Sequence, residues 1–303
     1  MKRALILSLL VGMMSVLAFE GCERETIDPT EGQPQRADDS LINQQGDTTI
    51  PEPSVMEFPS RTDYLVESVL WFDDSTNYKN TAYEYDDMNR LVRRVITGKI
   101  FEQNEARDLR IVSDYIYNND GKISSIVCSE ALVQNYYGHP TYNFYYDDYG
   151  RLIRAGNECF GYRNGRMDSI YYYNGDPNVY SILEYDAQGN VVRQIMHVPE
   201  FDFIEQPTGN YLTRIYEFEY STGIRPDFGL DYLFGYEPIP GQGTTYPTSV
   251  RMLSPNCMTR YSAGPEIWEY EYNEHGLPVT MYHQFADVVP VNHPVYRFTY
   301  RHK

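Results

Sequence analysis

One unit, repeated with small variations, limits what this chain can fold into: FYYDDYGRLIR at Phe144–Arg154. In an extended strand Phe144 and Tyr146 face one side of a sheet and Tyr145 the other. Asp147 folds its carboxylate onto the backbone two residues on, which favours a turn. Gly150 takes the positive φ that a type I turn followed by a left-handed residue requires. Arg151 follows, and Leu152 restarts the alternation on a return strand.

The same pattern recurs at YEYDDMNRL (Tyr83–Leu91), YIYNNDGKI (Tyr115–Ile123), LEYDAQGNV (Leu183–Val191) and YEYNEHGLP (Tyr270–Pro278). In these copies the turn opens on Asp86, Asn118, Asp186 and Asn273, and the left-handed slot holds Asn89, Gly121, Gly189 and Gly276. The single non-glycine is Asn, which tolerates that conformation best after Gly. A shortened version, GYRNGRM (Gly161–Met167), carries Asn164-Gly165, a two-residue hairpin signal. All twelve of these turn positions are read as structural.

Thirty Tyr and thirteen Phe with little helical periodicity make the body all-β. Sequential hairpins give an antiparallel up-and-down meander. A dozen or more strands in one flat sheet would leave long unprotected edges, so the meander is expected to close into a soluble barrel or a strongly curled sheet. Strands are expected from Tyr64 to Phe72 through Tyr211–Tyr220, then at Ser249–Leu253 and onward to Val295–Tyr300. The large interruption is the insertion Ser221–Pro247, in which Asp227 is positioned to cap one short helix over Phe228–Phe234.

The first residues have a different character. Lys2 and Arg3 precede an apolar run of about 16 residues, Ala4–Phe19, too short for the ~20 of a spanning helix, and Gly21 precedes Cys22. Residues 1–21 read as a secretory signal and Cys22 as a bacterial lipoprotein acylation site, although Phe19-Glu20 departs from the usual Leu and small residue there. Residues 22–60 are Pro-rich, polar and acidic, a disordered tether with a reach on the order of 35 Å. Residues 61–303 form the single folded domain. The expected location is the cell envelope, lipid-anchored to the outer membrane, on its periplasmic or surface side.

Charge narrows the partners. The chain carries −18; the signal nets one positive charge and the tether's acids exceed its bases by seven, leaving about −12 for the body. Such a body is repelled by nucleic acid and by anionic lipid headgroups, so nucleic acid is excluded as a partner. Once Cys22 is acylated, Cys128, Cys159 and Cys257 remain. An oxidising compartment allows one disulfide among three pairings, or buried free thiols.

Motifs for chemistry are missing. There is no GxSxG, HExxH or Walker loop, and NNDG at Asn118–Gly121 places Val127 where a calcium loop needs Glu. The pairs Asp73-Asp74, Asp86-Asp87 and Asp147-Asp148 fall at turns, and no two of the six histidines share a strand face. No cofactor or metal is expected. The recurring Tyr reads first as cross-strand packing and second as a stacking surface for sugars or partners.

The repeats resemble the tyrosine–aspartate units of RHS-type proteins. The order of lipoprotein start, acidic tether, hairpins, TGIRPDFGLDYLF, YPTSVRML and WEYEYNEHGLPVTM resembles a Bacteroidales lipoprotein family of unknown function. The resemblance covers Tyr64 to the C-terminus. It implies a porin-like but soluble β fold and an envelope location, and brings no catalytic residues. The expected function is therefore non-enzymatic binding or scaffolding, with a glycan, a peptide or another envelope protein as the candidate partner. Two alternatives are a hydrolase with a carboxylate-based site and a membrane-inserted β-barrel. Against the last, Arg93 and Arg94 occupy both faces of one strand, and the pairs Glu217/Glu219 and Glu269/Glu271 each line one face.

Overall fold

The computed structural model describes residues 62–303 except 75–76, 103–104, 129–140, 173–174, 202–205, 231–252, 263, 265 and 286–295. The tips set the architecture. Asp86 Oδ1 accepts the backbone N–H of Met88 and of Arg90, both at 2.9 Å, while Asn89 N–H donates to Asp86 O at 2.9 Å. Asn89 sits at φ +62°. The same turn closes at Asn118/Gly121, Asp147/Gly150, Asp186/Gly189 and Asn273/Gly276, with φ between +73° and +92° at the glycines. Each of these five turns is accompanied by a register shift at the end of its incoming strand, the bulge by which a three-residue hairpin loop joins two twisted strands.

Sixteen strands result: β1 (Tyr64–Asp74), β2 (Asn77–Tyr85), β3 (Leu91–Glu102), β4 (Glu105–Tyr117), β5 (Ile123–Cys128), β6 (Thr141–Tyr146), β7 (Leu152–Ala155) and β8 (Glu158–Arg163). They continue as β9 (Arg166–Tyr172), β10 (Tyr180–Tyr185), β11 (Val191–Phe201), β12 (Pro207–Ile224), β13 (Asn256–Tyr261), β14 (Glu266–Tyr272), β15 (Pro278–Phe285) and β16 (Tyr296–His302). Every strand pairs antiparallel with its sequence neighbours, and β1 pairs with β16 from Tyr64↔His302 to Trp71↔Tyr296. The sheet is a closed up-and-down barrel, which removes the edge problem at the waist.

The bore is filled. Each strand contributes at least one buried apolar side chain to one contiguous cluster, among them Tyr83, Phe144, Phe160, Ile170, Phe218 and Trp268. Burying such side chains stabilises by about 1.5–3 kcal/mol each. Arg93 points outward to Asp114 at 2.7 Å, while Arg94 points inward, 2% exposed, and donates to Ser113 Oγ at 3.1 Å.

The helix expected over Phe228–Phe234 is not formed. Phe228–Leu230 are irregular, Gly229 has φ +64°, and the described residues contain no α-helix; 231–234 lie outside them. Asp227 instead accepts the N–H of Gly229 at 2.8 Å, an Asx turn. Tertiary contacts decide this. Asp227 O accepts the N–H of Val66 at 2.8 Å, and Phe228 packs into the bore with its ring 5.0 Å from Tyr83. A helix started at Asp227 would withdraw both.

Candidate functional site

The tip end is closed by tyrosines. Tyr117 Oη donates to Leu91 O (2.8 Å), Tyr146 to Ile123 O (2.9 Å), Tyr162 to Leu152 O (2.9 Å), Tyr220 to Val191 O (2.7 Å) and Tyr300 to Pro278 O (2.6 Å). In each case the acceptor begins a return strand of an earlier hairpin. The basic residue after the left-handed slot then covers the next ring: Arg90 over Tyr117 at 4.5 Å, Lys122 over Tyr146 at 5.2 Å, Arg151 over Tyr162 at 5.0 Å. Burial pushes the hydroxyls of Tyr85, Tyr220 and Tyr300 far above the ordinary tyrosine range, so they act as neutral donors.

The segment after β12 completes the closure. Ile224 N–H donates to Gly276 O, Arg225 N–H to Pro255 O, and the chain then reaches β1 and β2 through Asp227 and Phe228. Lys303 Nζ pairs with Asp227 Oδ2 at 2.6 Å, tying the last residue to this strap. The turn residues named from the sequence are thus gathered at one end of the barrel. Their carboxylates are occupied within their own turns: Asp86 and Asp147 each hold the Arg four residues on at 2.6 Å. Desolvation raises the Asp86 carboxyl, but hydrogen bonds from Arg90 and Met88 outweigh it and hold the group below the ordinary range. Cys22 lies outside the described residues.

The opposite rim is built differently. The β3–β4 ribbon stays paired out to Glu102↔Glu105, and β11–β12 out to Phe201↔Pro207. Their outer neighbours stop earlier, β5 at Cys128↔Ser113 and β13 at Tyr261↔Phe218. Inside this end Tyr261, Trp268 and His283 stack in sequence, with centroids 6.0 and 5.4 Å apart, and His283 Nε2 lies 3.8 Å from Glu266. Trp268 is buried, so this stack belongs to the core.

The outer face of β10–β12 carries an aromatic row that water reaches at Tyr180. Tyr180, His197 and Tyr211 stack at 5.2 and 5.3 Å. Tyr211 Oη donates to Asp176, which holds that carboxyl low and the phenol high. One row below, Ile182, Ile195 and Ile215 lie in register, and Ile182 and Ile215 are 39% and 46% exposed. Sequence reading missed this face because its residues are spread over three strands with no shared motif; the available signal was the placing of Tyr180 with Ile182, and of Tyr211 with Ile215, on the same face of their strands.

Among the described residues no three His, Cys, Asp or Glu side chains are grouped as a metal site would need. Cys128, Cys159 and Cys257 are buried free thiols. Cys128 Sγ contacts Ser113 Oγ at 3.3 Å, Cys257 Sγ contacts Ile224 O at 3.4 Å, and burial pushes the Cys159 thiol up to about 11.

No family model and no curated protein matches the chain. Among solved structures it is similar to a porin-like protein from Bacteroides uniformis, at 8% identity and TM-score 0.40, over 78% of this chain and 98% of that one. It is also similar to part of the Tc holotoxin pore of Photorhabdus luminescens, at 10% identity and TM-score 0.31, over 67% of this chain and 11% of that one. At such scores nothing about binding or assembly transfers from either.

Proposed function

We propose that this chain is an envelope lipoprotein, anchored through Cys22, whose barrel stands in the aqueous phase as a non-enzymatic binding or scaffolding module. One observation carries the reading: the barrel's chemistry is turned toward water. Aromatic and aliphatic side chains fill the bore, while Glu84, Arg93, Glu184, Glu217, Glu269 and Glu271 are exposed on the outward positions of their strands. A lipid-facing barrel requires the reverse. A filled bore with an outward aromatic face suits docking of a glycan, a peptide or another envelope protein on Tyr180, His197 and Tyr211. The resemblance of the repeats to tyrosine–aspartate units, and of the whole to a Bacteroidales lipoprotein family, supports the same placement.

A second reading is favoured by closure itself. A membrane-inserted barrel needs a closed antiparallel sheet, and this chain's sheet is closed at the waist. The two readings separate on one variant. Cys22→Ser in the full chain should leave the protein in the soluble fraction after vesicle flotation. Recovery with membranes until detergent is added would instead establish the inserted barrel. Glycan and peptide array binding, with hydrolysis followed in parallel, then tests the docking role against a carboxylate-based hydrolase; turnover abolished by a single carboxylate substitution would replace it.

A further inference from the structure

We infer that the rim half of β12 is a self-association edge, along which two copies of this chain pair antiparallel to continue the sheet from one barrel into the next. From Pro207 to Glu217, β12 has β11 on one side, and among the described residues no strand pairs with the other side before Phe218. The direction of the backbone groups follows from one contact. Glu217 N–H donates to Ser262 Oγ at 2.9 Å and Glu217 O accepts the N–H of Ser262 at 2.8 Å, so both groups of Glu217 face away from β11.

The β11 register is unbroken from Arg193↔Glu217 to Pro199↔Tyr211. Backbone direction alternates along an antiparallel strand, so Ile215, Thr213 and Tyr211 also turn their N–H and C=O to the open side. Six backbone groups are thus presented in a row. The stretch YLTRIYE at Tyr211–Glu217, whose charged residues are Arg214 and Glu217, lacks Pro and bulges, two devices that protect natural edges. It is rich in residues that favour strands.

Its sequence also selects the occupant. A two-fold axis at Thr213 places Thr213 against Thr213 of a second copy, Tyr211 against Ile215, Leu212 against Arg214 and Glu217 against Gly209. All six free groups are then used, an aromatic–aliphatic pair forms twice on the outer face, and no like charges oppose. Shifting the axis to Arg214 sets two guanidinium groups opposite each other. Shifting it to Ile215 requires Glu217, which Ser262 already holds. The contact is isologous and closes at two copies. Because the axis reverses strand direction, the two tip ends, and with them the starts of β1, lie at opposite poles of the dimer.

The test uses the full chain carrying Cys22→Ser, in sedimentation velocity over a concentration series with hydrogen exchange in parallel. Pairing predicts a dimer, with the amides of Tyr211, Thr213 and Ile215 gaining protection as concentration rises. Thr213→Pro removes a donor from the open side and none from the β11 ladder, and should weaken dimerisation at least about tenfold. Ile215→Lys is the second variant, since it leaves the backbone conformation free and places a charge on the paired face; circular dichroism establishes folding of both. A parent that stays monomeric to about 100 µM overturns the inference. So does a dimer that both folded variants retain. Protection of these amides at every concentration would mean that the chain covers its own edge, and overturns it equally.

Discussion

The two ends of this barrel solve the same problem by different means. At the tip end, β2–β3, β4–β5, β6–β7, β10–β11 and β14–β15 are joined by the same Asx-type turn, and each turn hands a basic side chain or a backbone carbonyl to a neighbouring tyrosine. At the rim, β3–β4 and β11–β12 run long while β7–β8 is joined through Gly156 and Asn157 alone. The difference shows where the sequence is constrained. Tip residues answer to backbone conformation and to each other. Rim residues lack that local coupling and are held by the ladder pairing of the long ribbons.

The largest break in that comparison should come at the strap. Phe228 is 2% exposed in the bore, so Phe228→Ala is expected to destabilise by about 3–5 kcal/mol, read as a fall in the urea midpoint. Phe201, 43% exposed at the rim, should change stability by less than about 0.5 kcal/mol when replaced by Ala. Comparable losses at both ends would mean that the rim is packed as tightly as the tips.

The tyrosine staircase comes next. Tyr220 Oη donates to Val191 O and accepts from Ser254 Oγ at 2.8 Å, so Tyr220→Phe leaves two buried groups short of a partner and should cost about 1–3 kcal/mol. Gly121→Ala sharpens the backbone side of the argument. An added Cβ at Gly121 would meet nothing closer than 3.7 Å, so the cost comes from φ +76° alone. About 1 kcal/mol is expected in thermal or urea unfolding; a neutral result would mean that the turn adopts a different conformation.

What could be read from the chain follows the same division. Tip turns were legible because Asp86, Asn118 and Asp147 act within four residues of themselves, and closure followed from strand number and the edge problem. The strap was not, because Asp227 has the local chemistry of a helix cap while its carbonyl and Phe228 are committed to β1 and β2, distant in sequence. Nor was β13. It runs over Asn256–Tyr261, where no strand is expected from the sequence, while Leu253 and Ser254 before it are buried and Ser254 Oγ accepts the N–H of Val191 at 3.0 Å; of the strand expected at Ser249–Leu253, residues 249–252 lie outside the described residues. The β10–β12 face could not be found because register, which no single strand reveals, is what brings Ile182, Ile195 and Ile215 together.

The smallest expected effect lies on that face and depends on pH. The Tyr211 hydrogen bond, with help from Asn178 N–H, holds the Asp176 carboxyl below its ordinary value. A depressed carboxyl contributes stability above its unfolded pKa and loses it as pH falls through the folded value. The Tyr211–Asp176 contact should therefore be intact at neutral pH and open in acid below the ordinary carboxylate range, releasing one side of the Tyr180–His197–Tyr211 stack. Asp176 is exposed and Tyr211 is only partly covered, so the change belongs to the surface and not to global stability. Tyrosine ring chemical shifts followed by NMR titration would show a step for Tyr211 that Asp176→Asn removes, while Tyr220 at the tip end stays constant over the same range. A step shared by Tyr220 would mean that acid loosens the barrel as a whole, and that the rim is not an independent surface.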